Sequence, residues 1–331
     1  MKILTLVLTI VLLLSTAAYA YGAQDGALYA VLINGGRNRL TNHERYWNDC
    51  AFLYRTLRQT YHVPKRNISV LMSDGSDPEK DMLRADGLGF LSSPMDLDGD
   101  GQWDVANAAT IQTVSRTFMQ LSNQLTANDR LLLFIIDHGG SDDQQEDSYV
   151  WLWNDERLYD YELPFLLYRC PAGSVCVLMG QCYSGGFISE LMYEGCIVST
   201  ACDGSELSWK CPDRPYDEFI YHWTCAVNKA DEAGNKIDAD KNGDGLISMR
   251  EAFDYARSHD RRPETPQYAS WPEDLGERWT LDGVIPVGIQ LLQTITTVRE
   301  VFTPAGTRLS QPRKGQLNII RQSGKTKKVI K

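Results

Sequence analysis

The run Leu131-Leu132-Leu133-Phe134-Ile135-Ile136 passes straight into Asp137-His138-Gly139-Gly140, and a second run, Ser174-Val175-Cys176-Val177-Leu178-Met179, passes into Gly180-Gln181-Cys182-Tyr183-Ser184-Gly185-Gly186. Unbroken apolar runs of this length, bounded by glycine, read as strands buried on both faces. Three more runs are of the same kind: LYAVLI (28–33), ISVLM (68–72) and CIVSTA (196–201). Between the first two of these lies RYWNDCAFLYRTLRQTY, whose Trp47, Cys50, Phe52 (or Leu53), Tyr54 and Leu57 share one face of a helix. Residues 108–125 and 186–193 read as two further helices. Strands alternating with helices predict parallel pairing with helices on both faces, because a parallel crossover needs a helix to return the chain. The expected fold is therefore α/β, with a mostly parallel sheet in one domain over 21–284. A small β-prone extension, basic at its end, follows over 285–331 and holds GIQLLQTITTV and QLNII.

The chain has 331 residues, 43% hydrophobic and 23% charged, with a formal net charge of −10. That balance belongs to an ordinary globular protein and excludes a disordered tail, a collagen-like fibre or a coiled coil. An acidic chain is ill suited to phosphate backbones, so nucleic acid is not an expected partner.

Residues 1–20, MKILTLVLTIVLLLSTAAYA, have the layout of a secretory signal peptide: a charged start, an apolar centre and Ala18-Tyr19-Ala20 as a cleavage site. The apolar run from Ile3 to Leu14 is too short for a bilayer core, which needs about 20 residues. The mature protein is expected to be secreted or periplasmic, with no membrane span after signal removal. Export permits disulfides. Of Cys50, Cys170, Cys176, Cys182, Cys196, Cys202, Cys211 and Cys225, the pair bracketing a Gly-containing loop, Cys202 and Cys211, is the expected bridge.

In an open parallel sheet, reactive groups collect at the carboxyl ends of strands. His138 and Cys182 each follow a strand and sit on a turn tightened by glycine. Together they form a Cys/His pair able to do nucleophilic catalysis. A helix start after Cys182 would favour the thiolate. The amides of Gly139 and Cys182 are candidates for an oxyanion hole, and His138 for the proton carrier to a leaving amine.

Strand-His-Gly followed by strand-x-x-Cys-x-Ser-Gly resembles the caspase-fold cysteine peptidases, most of all the legumain (asparaginyl endopeptidase) branch. Cys182 lies 44 residues after His138, near the roughly 50 of caspases. Legumains carry Glu-Ala-Cys-Glu-Ser-Gly where this chain has Gly180-Gln181-Cys182-Tyr183-Ser184-Gly185. Asn42, eight residues before Cys50, matches a family Asn that supports the catalytic His, which implies an orienting role. Thr200-Ala201 and Glu206-Leu207-Ser208 resemble the segment lining the family's specificity pocket. Pro263-Glu264-Thr265-Pro266-Gln267, Leu275-Gly276 and Leu281-Asp282-Gly283 resemble a closing stretch of bacterial members.

Two departures bear on specificity. The acidic residue two before the legumain cysteine is Gly180, and the family's pocket Arg aligns with Glu44. Asp217 and Glu218 are expected to supply an acidic wall instead. The expectation is cleavage of protein or peptide substrates after Asn or a basic residue.

Residues 240–251 read D-K-N-G-D-G-L-I-S-M-R-E. Asp240, Asn242 and Asp244 stand at positions one, three and five, Gly245 at six, Ile247 at eight and Glu251 at twelve. Leu246 offers a carbonyl and Ser248 the ninth position, which is the register of an EF-hand calcium loop. A second loop begins alike with Asp96, Asp98 and Asp100; Asn107 stands at its twelfth position, so Asp104 is the expected compensating ligand. Calcium is expected to be structural. Transpeptidation through the same acyl-enzyme, and a non-catalytic calcium-dependent binding protein, stand as alternatives. Zinc is not expected: no C-x-x-C pair occurs, and His43, His62, His138, His222 and His259 are scattered. Lys325, Lys327 and Lys328 near the terminus offer sites for trimming.

Overall fold

The computed structural model describes residues 26–142 and 147–284, together with 300–302, 308–309, 317–322 and 325–330. The expected signal peptide and the run at 288–298 lie outside these residues. The chain divides into a unit ending at Val284 and a second unit, Ile285–Lys331.

The apolar runs form the expected strands: β1 (Leu28–Asn34), β2 (Ile68–Met72), then the short pair β3 (Met82–Leu83) and β4 (Phe90–Leu91), β5 (Val105–Asn107) and β6 (Arg130–Ile136). A hairpin sheet follows, β7 (Gly139–Ser141), β8 (Ser148–Leu152) and β9 (Glu156–Tyr159), and then β10 (Ser174–Met179), β11 (Cys196–Thr200) and β12 (Gln267–Trp271). Seven of these make the central sheet, in the order β12-β11-β10-β6-β1-β2-β5. All pairings are parallel except that of β12, an antiparallel edge strand.

Because side chains alternate along a strand, each apolar run feeds two cores. Leu132, Phe134 and Ile136 of β6 pack on one face with Ala30, Leu32, Cys176 and Leu178. That face is covered by α1 (Glu44–Arg55), α4 (Glu218–Asn228) and α5 (Met249–His259), through Leu53, Trp223 and Phe253 among others. Leu131, Leu133 and Ile135 pack on the other face with Val31, Ile33, Val177 and Met179. There α2 (Ile111–Leu121) and α3 (Leu163–Leu167) close the layer through Phe118 and Leu163. Every residue of β6 is buried, so truncating Phe134 to Ala would cost about 3–5 kcal/mol. This is the rigid base on which the strand ends stand. A short helix α6 (Leu275–Arg278) ends the first unit's elements.

The helix expected over 186–193 is not there. Tyr183 takes a left-handed conformation, φ 59°, and two 3-10 turns follow, Ser184–Phe187 and Ser189–Leu191. Gly185 and Gly186 sit so close to the Cys202–Gly204 backbone and the Ser148 side chain that a Cβ at either position would collide. Among the described residues no helix is long and apolar enough to cross a membrane. The second unit is a four-stranded antiparallel sheet of β13 (Glu300–Phe302), β14 (Arg308–Leu309), β15 (Leu317–Gln322) and β16 (Lys325–Ile330), ordered β14-β13-β15-β16.

Candidate active site

β6 and β10 are neighbours in register, with Ile135 opposite Met179. Both run the same way, so Asp137-His138-Gly139 and Gly180-Gln181-Cys182 leave the sheet side by side at its carboxyl edge. The approach is close: a Cβ on Gly139 would lie 2.0 Å from the Cys182 carbonyl oxygen, so this position accepts only glycine. Cys182 and His138 line one cavity of about 180 Å³ with Arg45, Tyr46, Asp137, Gly180, Leu207, Ser208, Trp209 and Asp217.

His138 is held from the β1 side. Its Nε2 lies 3.1 Å from the carbonyl oxygen of Thr41, in the loop between β1 and α1. A carbonyl only accepts, so the neutral imidazole carries its proton on Nε2 and leaves Nδ1 as the bare acceptor. The rings of His43 and Tyr46 stand edge-on to it, at 5.4 and 5.5 Å between centroids. Burial, and then the Arg45 charge, hold the imidazole below its usual range. The His138 amide donates to Asp137 Oδ1 at 2.6 Å, and burial keeps the Asp137 carboxyl well above the carboxylate range.

Cys182 is held from the β11 side. The Ser208 amide, in the loop between β11 and α4, donates to Sγ at 3.3 Å, and the Ser208 hydroxyl donates to the Gly180 carbonyl at 2.7 Å. Burial pushes the thiol up, and the Ser208 N–H is the main group opposing it. No α-helix follows, so the expected helix dipole does not act; single amides do. Cys182 is also partly exposed, while the other seven cysteines are buried. All eight are free. Cys202 Sγ contacts the Gln181 and Glu206 carbonyls, whereas Cys211 packs with Phe52, Tyr216 and Tyr221, so the expected bridge does not form.

Asn42 does not bond to the imidazole. Its buried amide donates to Ser73 Oγ at 2.8 Å and to Asp81 O at 3.1 Å, so it pins the loop whose preceding residue, Thr41, faces His138. Glu218 does not line the cavity either: its carboxylate is fully buried and bonds to Arg261 at 3.2 Å. Asp217 does line it, but not as an acidic wall. Arg45 Nε donates to both Asp217 oxygens at 3.1 Å, and Arg45 Nη2 donates to Tyr46 OH at 2.7 Å. The cavity thus has an arginine that sequence reading missed. Glu44, one residue earlier, points elsewhere and accepts the Ala85 amide at 2.6 Å. One residue is about 100° around a helix, enough to move a side chain from one cavity to another.

The acidic loops fold into one kind of turn. Asp96 accepts from the amides of Gly99 and Gly101 at 2.7 and 2.8 Å, and Asp240 from those of Gly243 and Gly245 at 2.7 and 2.8 Å. Their ligand atoms then diverge. Oxygens of Asp96, Asp98 and Asp104 lie within 4.8 Å of one another, close enough to hold one divalent ion. Burial and the nearby Asp104 raise the Asp98 carboxyl above its usual range, as crowding of carboxylates does. Arg58 and Lys65 partly answer them, at 3.8 Å from Asp98 and 2.6 Å from Asp104. Asp100 stays out of the group and accepts the Gln102 amide at 2.8 Å.

In the second loop, the Asn242 and Asp244 side chains accept the amides of Asp244 and Leu246 at 2.9 and 2.8 Å. Ser248 caps α5, and Glu251 completes a capping box with it. The other Glu251 oxygen takes the amides of Lys241 and Asn242 at 3.1 and 3.3 Å. Among the described residues, Asp240, Asp244 and Glu251 do not form a convergent group.

Residues 110–268 match the model of the Peptidase C13 family, a span that takes in His138, Cys182 and Ser208 and begins beyond Asn42. None of the curated proteins matches. Among solved structures, the chain is similar to protein GSU0716 from Geobacter sulfurreducens at 13% identity, over 73% of this chain and 92% of that one, with a TM-score of 0.42. Residues 110–268, the stretch that builds both reactive strand ends, are thus recognised as a Peptidase C13 domain, and the protein is a cysteine-type endopeptidase.

Proposed function

We propose that Cys182 is the nucleophile and His138 its proton carrier in an exported, calcium-stabilised endopeptidase that cleaves after Asn. The observation that carries this is the convergence of both side chains on one small cavity, each oriented by a backbone group from a flanking loop. Burial keeps both groups neutral at rest. Attack of Sγ on the scissile carbonyl carbon passes the thiol proton to His138 Nδ1, and the oxyanion is held by the Gly139 and Cys182 amides. Collapse breaks the C–N bond, His138 gives that proton to the leaving amine, and water then hydrolyses the thioester.

The Arg45–Asp217 pair supports Asn over a basic residue. A lone cation would have to compete with Arg45 for Asp217, and a carboxylate with Asp217 for Arg45. A neutral amide can accept from the one and donate to the other without leaving a buried charge unpaired. Calcium fits the Asp96–Asp98–Asp104 group best, as an ion relieving carboxylate crowding, and residues 240–251 supply a second loop in EF-hand register. Residues 1–20 are read as the export signal.

A fluorogenic peptide panel varying the residue before the cut, run on wild type and Cys182→Ala with and without chelator, tests the whole reading. Cleavage after Asn that vanishes in Cys182→Ala is expected. Cleavage surviving that substitution would sink the assignment, and preference for Asp or Lys would sink the pocket reading alone.

A further inference from the structure

The wall that carries Ser208 is clamped from outside by Glu264-Thr265. Trp209, next to Ser208, donates its amide to Glu264 Oε2 at 2.9 Å. Thr265 donates its amide and its hydroxyl to the Glu206 carboxylate at 2.8 and 2.9 Å. Glu264 and Asp260 line one cavity, where each acts on the other's protonation. Read as two carboxylates, the pair leaves Asp260 Oδ2 and Glu264 Oε1 buried with no donor. Buried acceptors without donors are costly, and two neighbouring buried carboxyls resist ionising together. One proton between those two oxygens removes both problems.

We propose that the Asp260–Glu264 pair, holding a single proton, is a positioning device that keeps the Ser208 amide on the Cys182 thiol by way of Trp209. The inference rests on the reading of Cys182 as nucleophile. Neither carboxyl touches the reacting atoms; both act through the loop 206–209. Burial, followed by the neighbouring Asp260, holds the Glu264 proton well above the carboxylate range. The other charges around the pair come from several elements. Arg262 donates its amide to Asp260 Oδ1 at 2.8 Å and lies 5.3 Å over the Trp209 ring. Arg250 and Arg257 of α5, with Tyr268 of β12, line the adjoining cavity. Glu218 and Asp217 add negative potential from the start of α4. In alkali the shared proton leaves, the two anions repel, and the clamp on Trp209 opens.

Two readouts test this on the full chain. The first is the pH midpoint of Cys182 alkylation by iodoacetamide, mapped by mass spectrometry; the other cysteines are buried. Glu264→Ala is expected to raise that midpoint by about one unit, because the thiolate loses a donor. An unmoved midpoint would overturn the clamp, whether or not the chain cleaves peptides. The second is the alkaline fall of kcat/KM. Glu264→Gln keeps an acceptor for the Trp209 amide but cannot ionise, so it is expected to remove that fall. The same alkaline limb in wild type and Glu264→Gln would overturn proton sharing, and this comparison decides alone if Glu264→Ala does not fold. Peptide cleavage retained by Cys182→Ala would count against the nucleophile and leave the alkylation result to stand separately.

Discussion

The two reactive strand ends are alike in chemistry and unlike in support. After β6, His138 is held by the Thr41 carbonyl from the loop following β1, the neighbour on one side. After β10, Cys182 is held by the Ser208 amide from the loop following β11, the neighbour on the other. One end meets an acceptor and the other a donor. A carbonyl fixes the imidazole tautomer, and an N–H favours the thiolate, so each loop presents the backbone group its partner needs. The lesson is that a catalytic edge in this fold is completed from outside: the two central strands bring the reactive side chains, and the two flanking strands bring their holders.

The harshest way to break the comparison is at the His138 end itself. His138→Ala is expected to lower kcat about 10²–10⁴-fold, the range for a lost general acid–base group, while Cys182 remains alkylatable. A smaller drop would mean that another group carries the proton. The holder of that end can be loosened without touching it. Asn42→Ala removes three buried hydrogen bonds and frees the loop bearing Thr41. A loss of about 2 kcal/mol in denaturant stability should accompany a roughly tenfold fall in kcat, since misplacement by a fraction of an ångström is felt at this step. Stability lost with kcat intact would show that Thr41 does not depend on Asn42.

The acid limb of kcat/KM sharpens the same contrast. Burial and Arg45 hold the His138 imidazole below its ordinary range, so it stays neutral on acidification until below about 6.5. Activity should be flat through neutrality and fall only below that value. A midpoint above 6.5 would contradict the buried, carbonyl-held ring. The smallest effect on activity lies away from the edge. Calcium should raise the melting temperature by a few degrees through the Asp96–Asp98–Asp104 group, an increment of about 2.7 kcal/mol at a hundredfold excess over Kd. Asp98→Asn should remove that gain and Asp244→Asn should leave most of it; the reverse outcome would move the stabilising ion to residues 240–251.

The acidic loops show how much spacing leaves open. Residues 240–251 match the twelve-residue register better, yet among the described residues Asp240, Asp244 and Glu251 do not converge, and Glu251 is drawn into the cap of α5. Residues 96–104 match it worse and bring three carboxylates together, because Asp104 is tied down by Tyr54 OH and the Leu97 amide, at 2.7 and 2.8 Å. A pattern records which residues can be ligands. Convergence depends on where the rest of the fold holds each side chain.

The sequence by itself determined the strands, their two-sided burial and the placing of His138 and Cys182 at strand ends, because apolar runs and glycine turns are local signals of backbone state. Only the tertiary structure decided what surrounds them. Thr41 acts through a backbone carbonyl, which no side-chain pattern reveals. Arg45 rather than Glu44 enters the cavity because the helix phase at its first turn is set by packing against the sheet. Asp217 reaches Arg45 across 172 positions of chain, and Ser208 reaches Cys182 across 26. The stretch after Cys182 does not enter an α-helix: Tyr183 is left-handed, and Gly185 and Gly186 lie against the Cys202–Gly204 backbone and Ser148. Contacts of this range are made by the fold as a whole, so the chemistry was legible in the chain, and its orientation was not.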